Sequence, residues 1–375
     1  MVLVKGTVMK TAVTQLMGCE YPVLLSGMTG VSTPDLAGAV SNAGGLGLLA
    51  TADLTLEQTR QAVRQTRRIT DRPFGANVPL LIPGATEKLA ILVEEKVPVV
   101  NYTLGSGERV AEAVHRYGGK VVATVTTEKH ALSAQKHGAD ALIVTGHEAA
   151  AHGGAVASMV LIPGIVDRVN IPVIAAGGIA DGRGLAAALV LGAEGVAMGT
   201  RFMNTRESPV HDTMKQLCNQ KAVEDTVYSD RIDGLPCRAL DSSGAREMMT
   251  DRLYLLKALA NSRFAARAYG FPWIAAMAGI LLSGYRRSKQ LARMANAFRA
   301  VKLAIDDGDQ KRGVFLMGQV TGLIDETLSV AQVMEKILTE AASAQARLAA
   351  GMGREQGYCR IPAISANGGT GIPTA

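Results

Sequence analysis

The chain has six histidines, and two of them, His147 and His152, share one glycine- and alanine-rich stretch, 146–154. A histidine among small residues suits proton transfer near neutral pH, because its ordinary pKa is about 6.5. His152 is therefore the candidate general acid or base. His115, His130 and His137 fall in helical patterns and read as surface residues, and His211 lies further along the chain. Glu148 sits between His147 and His152, but their spacing is not the i,i+4 pairing of a zinc-binding helix, so no metal is expected. Cys19, Cys218, Cys237 and Cys359 are far apart and lack CxxC spacing. That pattern predicts neither a zinc site nor a disulfide framework.

A second constellation is built from glycines. Gly177-Gly178 and Gly199-Thr200 each follow a short aliphatic run. Glycine lets backbone N–H groups approach a ligand closely, and a helix start favours an anion. Two such loops predict a phosphate site, and a phosphorylated cofactor such as FMN fits it. Gly27 and Met28 end another aliphatic run and could press backbone and thioether against a flat ring. Asn77 is a polar residue in an otherwise apolar run and is placed to bond a ring edge or a phosphate. Ser32 and Thr33 read as helix caps, with Pro34 in the first turn. The cluster Gly44-Gly45-Leu46-Gly47 follows a helical pattern and reads as a helix stop, not a dinucleotide loop.

These residues need a scaffold. Short aliphatic runs recur at 22–28, 46–51, 74–80, 97–104, 120–127, 141–145, 172–177 and 195–199, with helical patterns between them. Strands alternating with helices predict parallel βαβ units, and eight of them predict an α/β fold, a closed (β/α)8 TIM barrel. In such a barrel the chemistry sits on the loops after the strands. Both constellations occupy such loops.

Beyond Arg201 the pattern becomes helical with little strand character. We expect a barrel over 15–215 completed by 305–345, a helical insertion or lid over 216–304, and an irregular tail over 346–375. The lid would contain amphipathic stretches at 245–260 and 288–304, the second basic through Lys289, Arg293, Arg299 and Lys302. Between them an apolar segment, 271–282, reads as a buried helix.

Composition narrows the classes. Hydrophobic residues make up 48% and charged residues 19%, which excludes disorder. Aromatics are 4% with one Trp, which argues against binding single-stranded nucleic acid by stacking. No apolar run reaches the roughly 20 residues of a spanning helix, and no signal peptide is read, so a cytoplasmic enzyme without an integral membrane segment is expected. The net charge of +6 reads mainly as a solvated surface.

Together the motifs resemble the nitronate monooxygenase (2-nitropropane dioxygenase-like) family of FMN-dependent TIM barrels. Its superfamily also contains flavin-dependent enoyl-ACP reductases and NADH:quinone reductases. The matching segments are 26–28, 35–47 (DLAGAVSNAGGLG), 71–78 (DRPFGANV), 146–154 (GHEAAAHGG), 172–184 (PVIAAGGIADGRG), 198–202 (MGTRF) and 317–325 (MGQVTGLID). The resemblance implies FMN contacts from Gly27, Met28, Asn77, Gly177, Gly178, Gly199 and Thr200, with Gln319 closing the site, and His152 as the catalytic histidine. It implies small-molecule chemistry: alkyl nitronates oxidised with O2 to carbonyl compounds and nitrite. The alternative it carries is an NAD(P)H-dependent enoyl-ACP reductase or a related flavin reductase. A homodimer is left open. Two departures stand out. Ala150 and Ala151 replace glycines of the usual histidine loop, narrowing the flavin face. Thr124 and Thr145 stand where the quinone-reductase branch carries Lys and Asp.

Overall fold

The structure is a computed structural model that describes residues 9–82, 84–150, 152–250, 254–269, 273–274 and 284–352. Eight strands run in chain order: β1 (Val23–Leu25), β2 (Gly47–Ala50), β3 (Phe74–Pro79), β4 (Val99–Thr103), β5 (Lys120–Val125), β6 (Ala141–Thr145), β7 (Val173–Ala176) and β8 (Gly195–Met198). From β2 to β8 each strand pairs in parallel with the next, and β1 pairs in parallel with β8. A parallel bridge from Leu24 to Leu46 joins β1 to the β2 side and closes the ring. The strands are buried on both faces, as parallel strands under helices must be.

Side chains alternate across each strand. One set, with Leu25, Leu49, Val78, Val100 and Val144, meets the surrounding helices. The other fills the barrel interior with Leu24, Leu48, Val99, Val122, Ile143, Ile174 and Ala197. A short helix α1 (Ala12–Met17) plugs the N-terminal end of the barrel with Val13 and Met17.

Seven helices connect the strands: α2 (Pro34–Asn42), α3 (Leu56–Ile69), α4 (Ala85–Glu94), α5 (Glu108–His115), α6 (Glu128–Lys136), α7 (Ser158–Val166) and α8 (Gly182–Val190). Local chemistry sets their starts. Thr55 and Gln58 form a reciprocal capping box on α3, and Asp181 caps α8 by accepting from Arg183 and Gly184. The expected cap on α2 differs: Thr33 occupies the cap position without a side-chain bond. Ser32 is buried instead and folds the β1 loop, accepting from Met28 N and donating to Ser26 O.

After β8 come α9 (Thr200–Met203) and α10 (Asp212–Gln220). The expectation of little strand character beyond Arg201 is corrected here. An antiparallel hairpin, β9 (Thr226–Ser229) with β10 (Cys237–Leu240), follows α10. Its strands are four residues each, too short to show period-two alternation. Helices α11 (Ser243–Thr250), α12 (Tyr254–Tyr269) and α13 (Tyr285–Asp307) complete the inserted region. The predicted stretch 245–260 spans α11 and the start of α12, and 288–304 lies within α13. The apolar segment 271–282, apart from residues 273 and 274, lies outside the described residues, as do 353–375 and Ala151. Helix α13 packs against the hairpin through Ala300, beside Ile232, Cys237 and Ala239. A last helix, α14 (Val330–Gly351), packs on α8 and α2 and takes the place of the eighth barrel helix.

Candidate active site

The loops after the strands converge at one end of the barrel, and the glycine constellation gathers there. A Cβ on Gly27 would land 2.5 Å from Asn77 Cβ, and one on Gly199 would lie 3.4 Å from Met28 Sδ. The β1 loop, β3 and the β8 loop therefore meet across the mouth. Gly177 and Gly178 adopt φ of +90° and +75°, which side chains rarely tolerate. Gly177 rests against Gly146 and Ala149, and Gly178 against Glu148.

The segment carrying Gln319 joins this group, in a 3-10 turn over Gln319–Leu323. Gly318 N donates to Thr200 Oγ1 at 3.0 Å, and Gln319 N donates to Glu148 O at 3.0 Å. One backbone strap thus ties the β8 loop to the β6 loop. The Thr200 hydroxyl accepts a bond within the fold and keeps its proton for another acceptor.

Asn77 is 4% exposed and inward-facing. Its Nδ2 donates to Asn101 Oδ1 at 2.6 Å, and Asn101 Nδ2 donates to Thr124 Oγ1 and Val122 O, both at 3.0 Å. This polar ladder crosses β3, β4 and β5 where the lower layers are aliphatic. A buried amide needs such partners. Asn101 spends its donors on β5, so its oxygen faces Asn77, and Asn77 Oδ1 is turned to accept. Sequence reasoning missed Asn101. The signal was available, since a second polar residue lies in the apolar strand beside Asn77. Thr124, read above only as a departure from quinone reductases, closes the ladder.

His152 lies on the loop between β6 and α7 with its side chain 36% exposed. Its Nε2 is 2.6 Å from Asp233 Oδ2. Asp233 stands in the turn of the β9–β10 hairpin. Burial lowers the histidine's proton affinity, but the hydrogen bond and charge of Asp233 outweigh it and hold the pKa above its ordinary value. The hairpin grips the same loop twice more: Tyr228 OH donates to Gly153 O at 2.9 Å, and Arg238 Nε donates to His147 O at 3.1 Å. The His147 ring packs edge-on against Tyr228, with centroids 4.4 Å apart. His147 is thus a structural residue of the loop.

Glu148 is structural too. Its carboxylate accepts from Ser158 N and Oγ, supplying the cap that Ala157 at the start of α7 lacks. Ser158 Oγ is also 3.0 Å from Gly177 O, which links the loops after β6 and β7.

Cys237 Sγ lies within 4.8 Å of the His152 ring nitrogen and an Asp233 oxygen. Two zinc–ligand bonds of about 2.0–2.1 Å at a tetrahedral angle hold their donors about 3.3 Å apart. The His152–Asp233 separation of 2.6 Å is that of a direct hydrogen bond. Among the other histidines, His115 pairs with Asp140 on the helical side, and His211 caps α10.

The profile of the nitronate monooxygenase family matches residues 10–89 and 82–340. A Rhodococcus jostii RHA1 protein is 37% identical over 339 residues, 89% of this chain and 96% of its own length. It is named (3aS,4S,5R,7aS)-5-hydroxy-7a-methyl-1-oxo-octahydro-1H-indene-4-carboxyl-CoA dehydrogenase. A probable nitronate monooxygenase of Staphylococcus saprophyticus is 34% identical over 287 residues, covering 64% of this chain and 81% of its own. Among solved structures, FabK from Thermotoga maritima superposes with a TM-score of 0.76 at 36% identity, covering 90% of this chain and 98% of that one. Nitroalkane oxidase from Streptomyces ansochromogenes gives 0.72 at 26%, covering 90% and 100%. The chain therefore belongs to the nitronate monooxygenase family of oxidoreductases.

Proposed function

We propose that this protein is an FMN-dependent oxidoreductase acting on an acyl thioester, with Gly27, Met28, Asn77, Gly177, Gly178, Gly199, Thr200 and Gln319 around the cofactor and His152 at the substrate. The glycine cradle suits the cofactor: a Cβ at Gly27 would strike Asn77, and Gly177 and Gly178 hold backbone conformations that favour glycine. FMN when bound supplies hydride exchange. The chain's own residues do the rest. The loops after β7 and β8 offer backbone N–H groups to a phosphate, Asn77 Oδ1 accepts from a ring N–H, and His152 handles the proton or negative charge on a substrate oxygen.

The observation that carries the thioester reading is the hairpin's grip on the histidine loop through Asp233, Tyr228 and Arg238. The inserted region is part of this proposed site, so relatives matched along nearly the whole chain at the higher identities, 37% for the Rhodococcus jostii protein and 36% for FabK against 26% for nitroalkane oxidase, are the better guides to substrate. The Rhodococcus jostii relative, matched over 89% of this chain, is named for a CoA ester, whereas the Staphylococcus saprophyticus nitronate monooxygenase is matched over 64%. A second reading, oxidation of alkyl nitronates with O2 to carbonyl compounds and nitrite, is favoured by the family profile and the nitroalkane oxidase neighbour.

Anaerobic mixing separates them. The yellow protein is expected to bleach with NAD(P)H and recolour with an enoyl thioester such as crotonyl-CoA. Bleaching by a nitronate alone, with nitrite released in air and no response to NAD(P)H, would overturn the thioester reading in favour of the second.

A further inference from the structure

One ring nitrogen of His152 is already committed. Nε2 lies 2.6 Å from Asp233 Oδ2, and Asp233 Oδ1 accepts Leu235 N–H at 3.0 Å. Both carboxylate oxygens are therefore held, and the side chain cannot swing away from the imidazole. Gly234, at φ +91°, seats the turn against Gln290 of α13. The Tyr228 and Arg238 bonds fix the histidine loop on either side of His152. The contact joins residues 81 positions apart, so it is made by the inserted hairpin and not by the barrel.

We propose that Asp233 is the positioning residue for His152: it holds the ring by Nε2, supports its cationic form and leaves Nδ1–H to meet a planar, delocalised oxyanion, either the enolate of an acyl thioester or an alkyl nitronate. The proposal rests on the reading of His152 given above. No partner for Nδ1 is found among the described residues. A neutral ring bonded to a carboxylate keeps its proton on Nε2 and offers Nδ1 only as an acceptor, whereas the cation donates from both nitrogens. A carboxylate at this distance favours the cation, and the net upward displacement of the His152 pKa agrees with the geometry.

Other titratable groups near the ring are spoken for. On the loop, His147 bonds Gly154 O and Glu148 bonds Ser158. On the hairpin, Arg238 is turned to His147 O and Thr226 Oγ1, Tyr228 donates to Gly153 O, and burial keeps the Cys237 thiol protonated. From α13, Arg293 bonds the Arg231 carbonyl. Asp233 is therefore the anion that sets the charge of His152.

The test is the NMR titration of the His152 Cε1–H signal, assigned by its loss in His152→Gln. Wild-type His152 is expected to titrate above 6.5, and Asp233→Asn to weaken its proton affinity about tenfold or more, roughly one pH unit. Asp233→Glu should restore part of the shift. The corresponding limb of the kcat/KM profile should move to lower pH in parallel, with crotonyl-CoA or propyl nitronate as the two probes, and the one whose profile moves identifies the oxyanion. A wild-type value at or below 6.5, or an unchanged titration in Asp233→Asn, overturns the proposal, and the first result needs no variant to fold. Normal turnover in His152→Ala overturns the catalytic reading of His152 and this proposal with it. That failure is recognisable on its own, because the titration shift would persist.

Discussion

The two sides of the barrel mouth are built differently. On the side of β1, β3, β7 and β8, the candidate cofactor residues are mostly glycines, with Met28, Asn77 and Thr200 among them, and much of the work falls to the backbone. Gly27 is packed against Asn77, and Gly177 and Gly178 hold positive φ. On the side of β6, the candidate proton-handling residue stands on a loop gripped by an inserted hairpin, and the work falls to side chains: Asp233, Tyr228 and Arg238. On the proposed reading, the barrel would provide the place for a phosphorylated ring, and a segment added after β8 would adjust the chemistry performed on it. Changes on one side should then leave the other intact.

The largest expected effect breaks the hairpin side. His152→Ala should cut turnover by about 100- to 10,000-fold, the range for loss of general acid–base help, with the flavin-to-protein ratio unchanged. On the cradle side, Gly27→Val forces a side chain into Asn77, 2.5 Å from the new Cβ. Overpacking of this kind costs about 1–3 kcal/mol, so flavin affinity measured by fluorescence should fall roughly 10- to 100-fold. Asn101→Leu deprives the Asn77 Nδ2 of its acceptor. A buried unsatisfied donor costs about 1–3 kcal/mol, to be read by denaturant unfolding, with weaker flavin binding as a second readout.

Smaller effects sharpen the hairpin side. Tyr228→Phe removes one bond to Gly153 O, worth about 1 kcal/mol, and should raise KM a few-fold while flavin content stays constant. The hairpin–loop lock should also respond to pH. The folded pKa of His152 is raised, so its contribution to stability is full below the unfolded value of about 6.5 and is lost as pH rises through the folded value. Hydrogen exchange at Gly153 and Gly154 should quicken over that window in the wild type and not in Asp233→Asn.

Much of the barrel was legible because its strands are continuous aliphatic runs separated by helical spacing, as at 97–104 and 120–127. Gly177 and Gly178 were legible because a glycine doublet after such a run is conspicuous, and Gly199 because it directly ends the next run. Other features were not. β9 and β10 are four residues each, and Arg238 interrupts the apolar run of the second. Asp233 looks like any turn aspartate until the fold brings it to a histidine 81 positions earlier. Asn101 carried a signal, an amide in an apolar run, but its role shows only when the fold sets it between Asn77 and Thr124.

The most direct test is flavin absorbance per chain in wild type, Gly27→Val and His152→Ala purified in parallel. The account predicts yellow wild type and yellow His152→Ala with equal flavin content, and depleted Gly27→Val. A colourless wild type, or flavin lost from His152→Ala as fully as from Gly27→Val, would contradict it.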